Sequence, residues 1–339
     1  MVCRLIEGWE SSTTPADYLG KWSSFGTGLA ISGAAGRFGN GIRASTNAHI
    51  FSRTFDAQAT WVVGFALRVS ALPGNTLALL QFLDGATVHC GVGVQADTGL
   101  LFAFRATTAT VLGTAAVPLV AGVWAYVEAK FTISDTLGVA AVRLNTVPVV
   151  TLSSQDTRNA GNATANIVRF GPSATPSALI DLDDLYVFDG SGAVNLDFAG
   201  DCKVEQVLPG GAGASTLWTP SAGSNYQCVD DVPPNGDTDY VASATAGQTD
   251  TYAFGDLSVA SAGTVKAVQA TVVARKDDAG SRSLAVVARP GGTDRVGATQ
   301  AVGDTYAAYT QTWDTNPDTA AAWSVAEVNA SSFGVRLVS

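Results

Sequence analysis

Four aspartates crowd one short stretch of this chain, Ile180-Asp-Leu-Asp-Asp-Leu-Tyr-Val-Phe-Asp-Gly190. Two carboxyl groups about 5 Å apart are the apparatus of a retaining glycosidase, and on a strand the i, i+2 spacing points both the same way. Asp181 and Asp183 share a face in this way and are the candidates worth naming. The glutamates Glu7, Glu10, Glu128, Glu205 and Glu327 are dispersed, and Glu7 and Glu10, three apart, fall on opposite faces of an extended segment. Asp181 and Asp183 are therefore expected to cap a turn or to bond backbone groups where the strand begins. The two histidines, His49 and His89, lie in apolar strand contexts that offer no Ser-His-Asp arrangement. The sequence predicts a protein that is not an enzyme, with no catalytic residue to assign.

The same acidic residues raise the question of metal. Asp181, Asp183, Asp184 and Asp189 form one oxygen-rich cluster, and Asp230, Asp231, Asp237 and Asp239 form another. Calcium needs about six to eight oxygens, and neither cluster matches a defined calcium loop. Asn235-Gly236-Asp237 alone makes a good turn. Past Asp184, apolar side chains alternate on both faces (Leu185 and Val187; Tyr186 and Phe188), which predicts a covered strand. No cofactor is expected, and calcium at the first cluster is the metal candidate. Cys3, Cys90, Cys202 and Cys228 are widely spaced without a CxxC pair, and read as reduced, mostly buried thiols. A Cys3–Cys90 or Cys202–Cys228 disulfide stays open for an oxidising medium.

Aromatic rings give the other recognisable chemistry, because a ring stacks on the apolar face of a sugar while nearby polar groups take its hydroxyls. Trp9, Trp22, Trp218 and Trp313 lie near turns or strand ends and are the candidates for glycan binding. Trp61 and Trp124 sit inside strand alternation and are expected in the core.

The elements that must position these residues are strands. Of 339 residues only 14% are charged and 36 are glycine, a mixture suited to short strands and tight turns. The length allows two domains. A net charge of −10 with 19 scattered Lys and Arg excludes a nucleic-acid surface. Residues 109–127 carry no charge, but Gly113, Pro118 and Gly122 interrupt them, so no membrane insertion is expected. Met1–Glu10 lacks the apolar stretch of a secretory signal, which predicts a protein made in the cytoplasm.

Strand signals cover residues 50–55, 60–69, 77–83, 88–95, 100–105, 124–133, 139–144 and 147–152, with hairpin turns at Asp97-Thr-Gly99 and Asn145-Thr146. Residues 189–200 read as a linker. Beyond it, residues 202–208 alternate as a strand, residues 265–275 are expected to form a hairpin with 282–288, and a turn precedes a last strand at the C-terminus. The fold class is all-β.

The ordered motifs Leu5-Ile-Glu-Gly-Trp9, Phe38-Gly-Asn-Gly-Ile-Arg43, Trp61-Val-Val-Gly-Phe-Ala-Leu-Arg68, Gly122-Val-Trp-Ala-Tyr-Val-Glu128 and Ile180-Asp-Leu-Asp-Asp-Leu-Tyr186 resemble the concanavalin A-like (laminin G-like) jelly roll of tailed-bacteriophage virion proteins. The resemblance implies a lectin-like sandwich over residues 1–197 and a smaller β-sandwich over 198–339. Gly-x-Trp-x-Tyr-x-Glu would be a middle strand, and Asp-Asp-Leu-Tyr the closing strand beside the start. Laminin G-like domains often bind calcium at their rim, and glucanases of this fold carry Glu-x-Asp-x-x-Glu, which this chain lacks. The implied function is a non-enzymatic virion structural protein at the tail tip or on a tail fibre, receptor-binding or baseplate-associated. Implied partners are other virion proteins in a homotrimer, and a host surface glycan or pilus. A capsid decoration or head-fibre protein and a polysaccharide depolymerase are the alternatives.

Overall fold

The computed structural model describes residues 2–18 and 20–339. Its contacts divide the chain into two units: residues up to Pro15 with Trp22–Val204, and Ala16–Lys21 with Glu205–Ser339. Both are built almost wholly of antiparallel strands.

In the first unit the strands are β1 (Cys3–Glu7), β2 (Ser24–Phe25), β3 (Ala30–Ser32), β4 (Gly41–Ala44), β5 (Phe51–Gln58), β6 (Thr60–Val69), β7 (Leu77–Asp84), β8 (Thr87–Val94), β9 (Leu100–Arg105), β10 (Val111–Pro118), β11 (Ala125–Thr132), β12 (Gly138–Leu144), β13 (Val147–Gln155), β14 (Ala165–Phe170) and β15 (Ile180–Asp189). Among the described residues they make an eight-stranded sheet, ordered β13-β12-β11-β6-β15-β4-β3 with β1 also on β15, and a seven-stranded sheet, ordered β10-β9-β8-β7-β14-β5-β2. The last strand is therefore central. One side of β15 pairs with β6; on the other, Ile180–Leu182 meet β4 and Leu185–Phe188 meet β1.

Alternation decides the facing. Odd residues of β6 point between the sheets: the Trp61 indole donates to the Ala165 carbonyl at 3.2 Å, and Phe65 meets Phe170 edge to face at 5.8 Å. Trp9, Trp22, Phe51 and Phe170 fill one end of the core, with Trp9 stacked on Trp22 at 5.5 Å and Phe51 on Phe170 at 5.2 Å. Such pairs add about 0.5–1.5 kcal/mol each beyond burial. The uncharged run 109–127 is divided between β10, at a sheet edge, and the start of β11. No helix among the described residues is long and apolar enough to cross a membrane.

The second unit comprises β16 (Pro209–Thr216), β17 (Thr219–Pro220), β18 (Val241–Ala242), β19 (Thr249–Phe254), β20 (Val268–Ala274), β21 (Arg282–Arg289), β22 (Arg295–Val302), β23 (Ala307–Trp313), a one-and-a-half-turn helix α1 (Val325–Ala330) and β24 (Ser332–Leu337). A five-stranded sheet runs β16-β19-β24-β21-β22, and β20 pairs with β23 alone. Leu284, Tyr309 and Val335, with Val272 and Ala274, pack these two layers together. Asp250 is fully buried and anchors the turn region, accepting from Asn225 Nδ2 and the Tyr252 hydroxyl, each at 2.8 Å.

Three local expectations are corrected. Residues 265–275 do not form a hairpin with 282–288: β20 pairs with β23, while both edges of β21 are taken by β22 and β24. Alternation identifies a strand's faces but does not choose its neighbours. The stretch 202–208 joins no ladder among the described residues; within it Val204 N donates to a side chain, Asp184 Oδ1, as described next. The final turn is the helix α1, opened by Ser324 and Glu327, each side chain bonding the other's backbone N–H.

Gly64 is required by a close approach rather than by its backbone angles. It sits mid-strand in β6, where a Cβ would overlap the ring of Tyr186 on β15. Gly64→Ala is expected to cost about 1–3 kcal/mol of stability by overpacking, measurable as a lower urea midpoint with an unchanged slope.

Candidate functional site

Even residues of β6 leave the core side and define the outward face of the eight-stranded sheet. Register carries this face sideways: Glu128 of β11 lies opposite Gly64, Tyr186 of β15 opposite Gly64 on its other side, and Arg143 of β12 opposite Glu128. One row thus crosses four strands as Arg143, Glu128, Gly64 and Tyr186. Because Gly64 has no side chain, the Tyr186 ring lies across it and its hydroxyl donates to Glu128 Oε1 at 2.7 Å. Tyr126, two residues before Glu128 on the same face, donates to the Asp184 carbonyl at 2.9 Å. Burial raises both phenols well above their ordinary range, so both remain protonated donors.

An outward sheet face ordinarily meets water, yet Glu128 is 0% and Tyr186 3% exposed. The cover is the chain itself. After β15, residues 190–196 are largely exposed, and residues 197–204 then cross the face as a strap. Asp197 lies 3.2 Å from Lys130 Nζ and 4.0 Å from Arg143, whose guanidinium lies over the Phe198 ring at 4.2 Å. Ala199 N donates to the Tyr186 hydroxyl at 3.2 Å and Gly200 N to Glu128 Oε1 at 2.7 Å. Asp201 takes both terminal nitrogens of Arg37, at 2.7 and 2.9 Å, and Val204 N donates to Asp184 Oδ1 at 2.7 Å.

The four aspartates of the closing strand are buried and separately engaged. Asp181 is held by Arg43 at 2.6 Å and Arg68 at 2.7 Å. Asp183 accepts backbone N–H groups from Arg37 and Asp184 at 2.7 Å and from Phe38 at 3.4 Å. A β-bulge at Asp184, where φ is 49°, turns its carboxyl toward the strap. Asp189 binds Arg4 at 2.9 Å and the backbone N–H of Ser191 at 2.7 Å. Asp181 and Asp189 stand roughly 26 Å apart along one strand, eight residues at the usual rise. Most of their oxygens are turned to guanidinium and N–H donors; Asp184 Oδ2 makes no hydrogen bond and lies 3.5 Å from Arg37. Among the described residues no three His, Cys, Asp or Glu come together as a metal site.

The tryptophans divide. Trp9 and Trp22 are core residues with no ring face in solvent. Trp218 is half-buried, its indole donating to the Gln248 carbonyl at 3.2 Å, and Trp313 ends β23 rather than standing in a loop, 6.0 Å from Phe333. Trp61 is in the core as expected, whereas Trp124 is half-buried beneath Arg68 at 4.7 Å. Asp237 of the second cluster is exposed and bonds Arg275 at 3.0 Å and Tyr306 at 2.7 Å. All four cysteines are thiols, and burial pushes that of Cys90 far up.

Glu128, Tyr126, Tyr186 and Arg37 form the patch richest in recognition chemistry, and sequence reading did not single them out. The signal was present for two of them: Gly122-Val-Trp-Ala-Tyr-Val-Glu128 alternates so that Tyr126 and Glu128 share a face. With Lys130 and Arg143 beside it, the patch offers one carboxylate, two phenol hydroxyls and three cations, a set able to hold hydroxyls and carboxylates.

No protein-family model matches the chain, and no curated protein is significantly similar to it. Solved structures with a similar β-sandwich include the cellulose-induced protein Cip1, with 17% identity over 55% of this chain and 97% of that one at a TM-score of 0.41. The alginate lyase Aly36B gives 13% identity over 54% and 95% at 0.41. The binding domain of Paraclostridial Mosquitocidal Protein 1 gives 12% over 68% and 70% at 0.38. Likeness at this level leaves ligand and reaction to be argued from this chain's own side chains.

Burial, reinforced by the neighbouring Asp183 carboxylate, pushes the Asp184 carboxyl from 3.8 up to about 7. The folded state then binds the proton more tightly than the unfolded state, so this group's stabilisation is full at pH below its unfolded pKa and is lost as pH rises toward 7. Asp184→Asn, which keeps the acceptor for Val204 and tolerates the positive φ, is expected to remove that loss. Urea unfolding of the two proteins at pH 4, 5, 6 and 7 should show a difference that grows with pH to at most about 4 kcal/mol; parallel pH profiles would refute it.

Proposed function

We propose that this chain acts by binding and not by catalysis, as a structural and adhesive virion protein of a tailed bacteriophage. Its place is the tail tip or a tail fibre, where the first unit displays a lectin-like sandwich to a host surface glycan and other virion proteins hold it. The observation that carries the binding reading is the state of Asp181 and Asp183, the carboxylate pair with the spacing for hydrolysis. Asp181 is neutralised by two guanidinium groups and Asp183 is consumed by backbone N–H groups, so neither is poised to donate a proton to a leaving group or to attack a sugar.

The phage placement rests on the sequence resemblance alone. What the structure adds concerns the fold: the five motifs fall on or beside β1, β4, β6, β11 and β15, which are neighbours in one sheet. Motifs scattered over 180 residues of sequence thus make up a single contiguous surface and its underlying core.

Antibody against the chain, carried on gold and imaged on purified particles by electron microscopy, is expected to label the tail end. Label on the head would move the protein to the capsid, and particles without label would overturn the virion reading.

A further inference from the structure

We propose that the strap, residues 197–204, is an internal ligand: it lies in a groove that takes an acidic oligosaccharide when the strap lifts. The inference rests on the binding reading above but not on the virion placement. Polar side chains that point away from a core are not buried by folding alone, and here Glu128 and Tyr186 are buried with the backbone of residues 199 and 200 bonded to them, while Arg37 lies over the Tyr126 ring at 5.7 Å.

What the strap supplies to the groove is a description of what else would fit. Two of its backbone N–H groups deliver hydrogen to Glu128 and to the Tyr186 hydroxyl, and two of its carboxylates sit on Lys130 with Arg143 and on Arg37. Sugar hydroxyls and uronate carboxylates present the same groups. An acidic oligosaccharide would also remedy a defect. Glu128 Oε2 is buried without a hydrogen-bond partner, since Tyr186 and Gly200 both bond Oε1. A carboxylate left half-satisfied in a dry site is costly. Two adjacent hydroxyls on a pyranose reach both oxygens of one carboxylate, which a single strap amide does not.

The strap is also held in a way that permits release. Its ionic partners Asp197 and Asp201 are 56% and 40% exposed, the setting in which ion pairs contribute least. Residues 190–196 before it are largely exposed and Gly-Ser rich at the start, giving slack for the strap to bow outward while β15 stays in place.

The test uses the full chain, a tetrasaccharide of a uronic acid, and the neutral hexose tetrasaccharide of the same linkage. Two variants loosen the strap: the double substitution Asp197→Asn, Asp201→Asn, and Gly200→Pro, which removes the N–H given to Glu128 and cannot adopt the φ of 90° found there. Amide hydrogen exchange at Ala199, Gly200 and Val204 reports the strap in the wild type and the double variant, and at Ala199 and Val204 in Gly200→Pro; calorimetry reports binding. The uronate is expected to bind the wild type weakly while speeding exchange of the strap amides, and to bind the loosened proteins about tenfold more tightly, with the neutral sugar far weaker throughout. Loosened straps without tighter uronate binding would overturn the inference, as would equal binding of the neutral sugar. Glycan binding that leaves strap exchange unchanged would also overturn it, while leaving the broader binding reading standing.

Discussion

Burying carboxylates on a central strand sets the terms on which the first unit folds. β15 is covered along its whole length yet carries four aspartates, and an unpaired buried charge costs several kcal/mol. The donors that meet them come from the strands and turns beside it. Asp181 faces Arg43 of β4 across one edge and Arg68 of β6 across the other, each directly opposite in register. Arg4 of β1 meets Asp189, and the backbone just before β4 meets Asp183. A slip of β15 by one residue would turn its apolar set outward and strand Asp181 in the core at the same time. Charge and hydrophobic pattern therefore specify the same sheet order.

The all-β class, the strands at 60–69, 100–105 and 180–189, and the turns at Asp97-Thr-Gly99 and Asn145-Thr146 were all legible from alternation and turn chemistry. What failed did so for identifiable reasons. The burial of Trp9 and Trp22 depends on an aromatic cluster assembled from β2, β5 and β14, and no local window contains those partners. Pairing of β20 with β23 in place of β21 is a choice among edges, on which side-chain period is silent. The helix α1 follows from the Ser324-x-x-Glu327 spacing, a local signal set against a surrounding composition that favours strands. At the candidate site, alternation put Tyr126 and Glu128 together. The bulge at Asp184 and the Gly64–Tyr186 contact, which bring Tyr186 to Glu128, needed three dimensions.

The strap and the sheet beneath it form one polar layer outside a conventional apolar core. Arginines and lysine from β11, β12 and the segment before β4 hold its two aspartates, and the groups at its centre are shared between main chain and side chain. The polar groups that the proposed binding reading uses therefore lie on a sheet face. The half-buried Trp124, in the loop just before β11, lies under Arg68, which also binds Asp181, and extends that layer toward the end of β6.

Placing the last strand at the centre of a sheet also has a consequence during synthesis. β1, β4 and β6 emerge from the ribosome long before their common partner, and the row of N–H and C=O groups each will share with β15 stays unpaired until residue 189 is made. At the usual 5–20 residues per second this leaves open strand edges for roughly six to forty seconds, longest for β1. The nascent chain is thus exposed to pairing with its neighbours on a polysome for most of the time it takes to make the first unit, and the arrival of one ten-residue segment closes that interval.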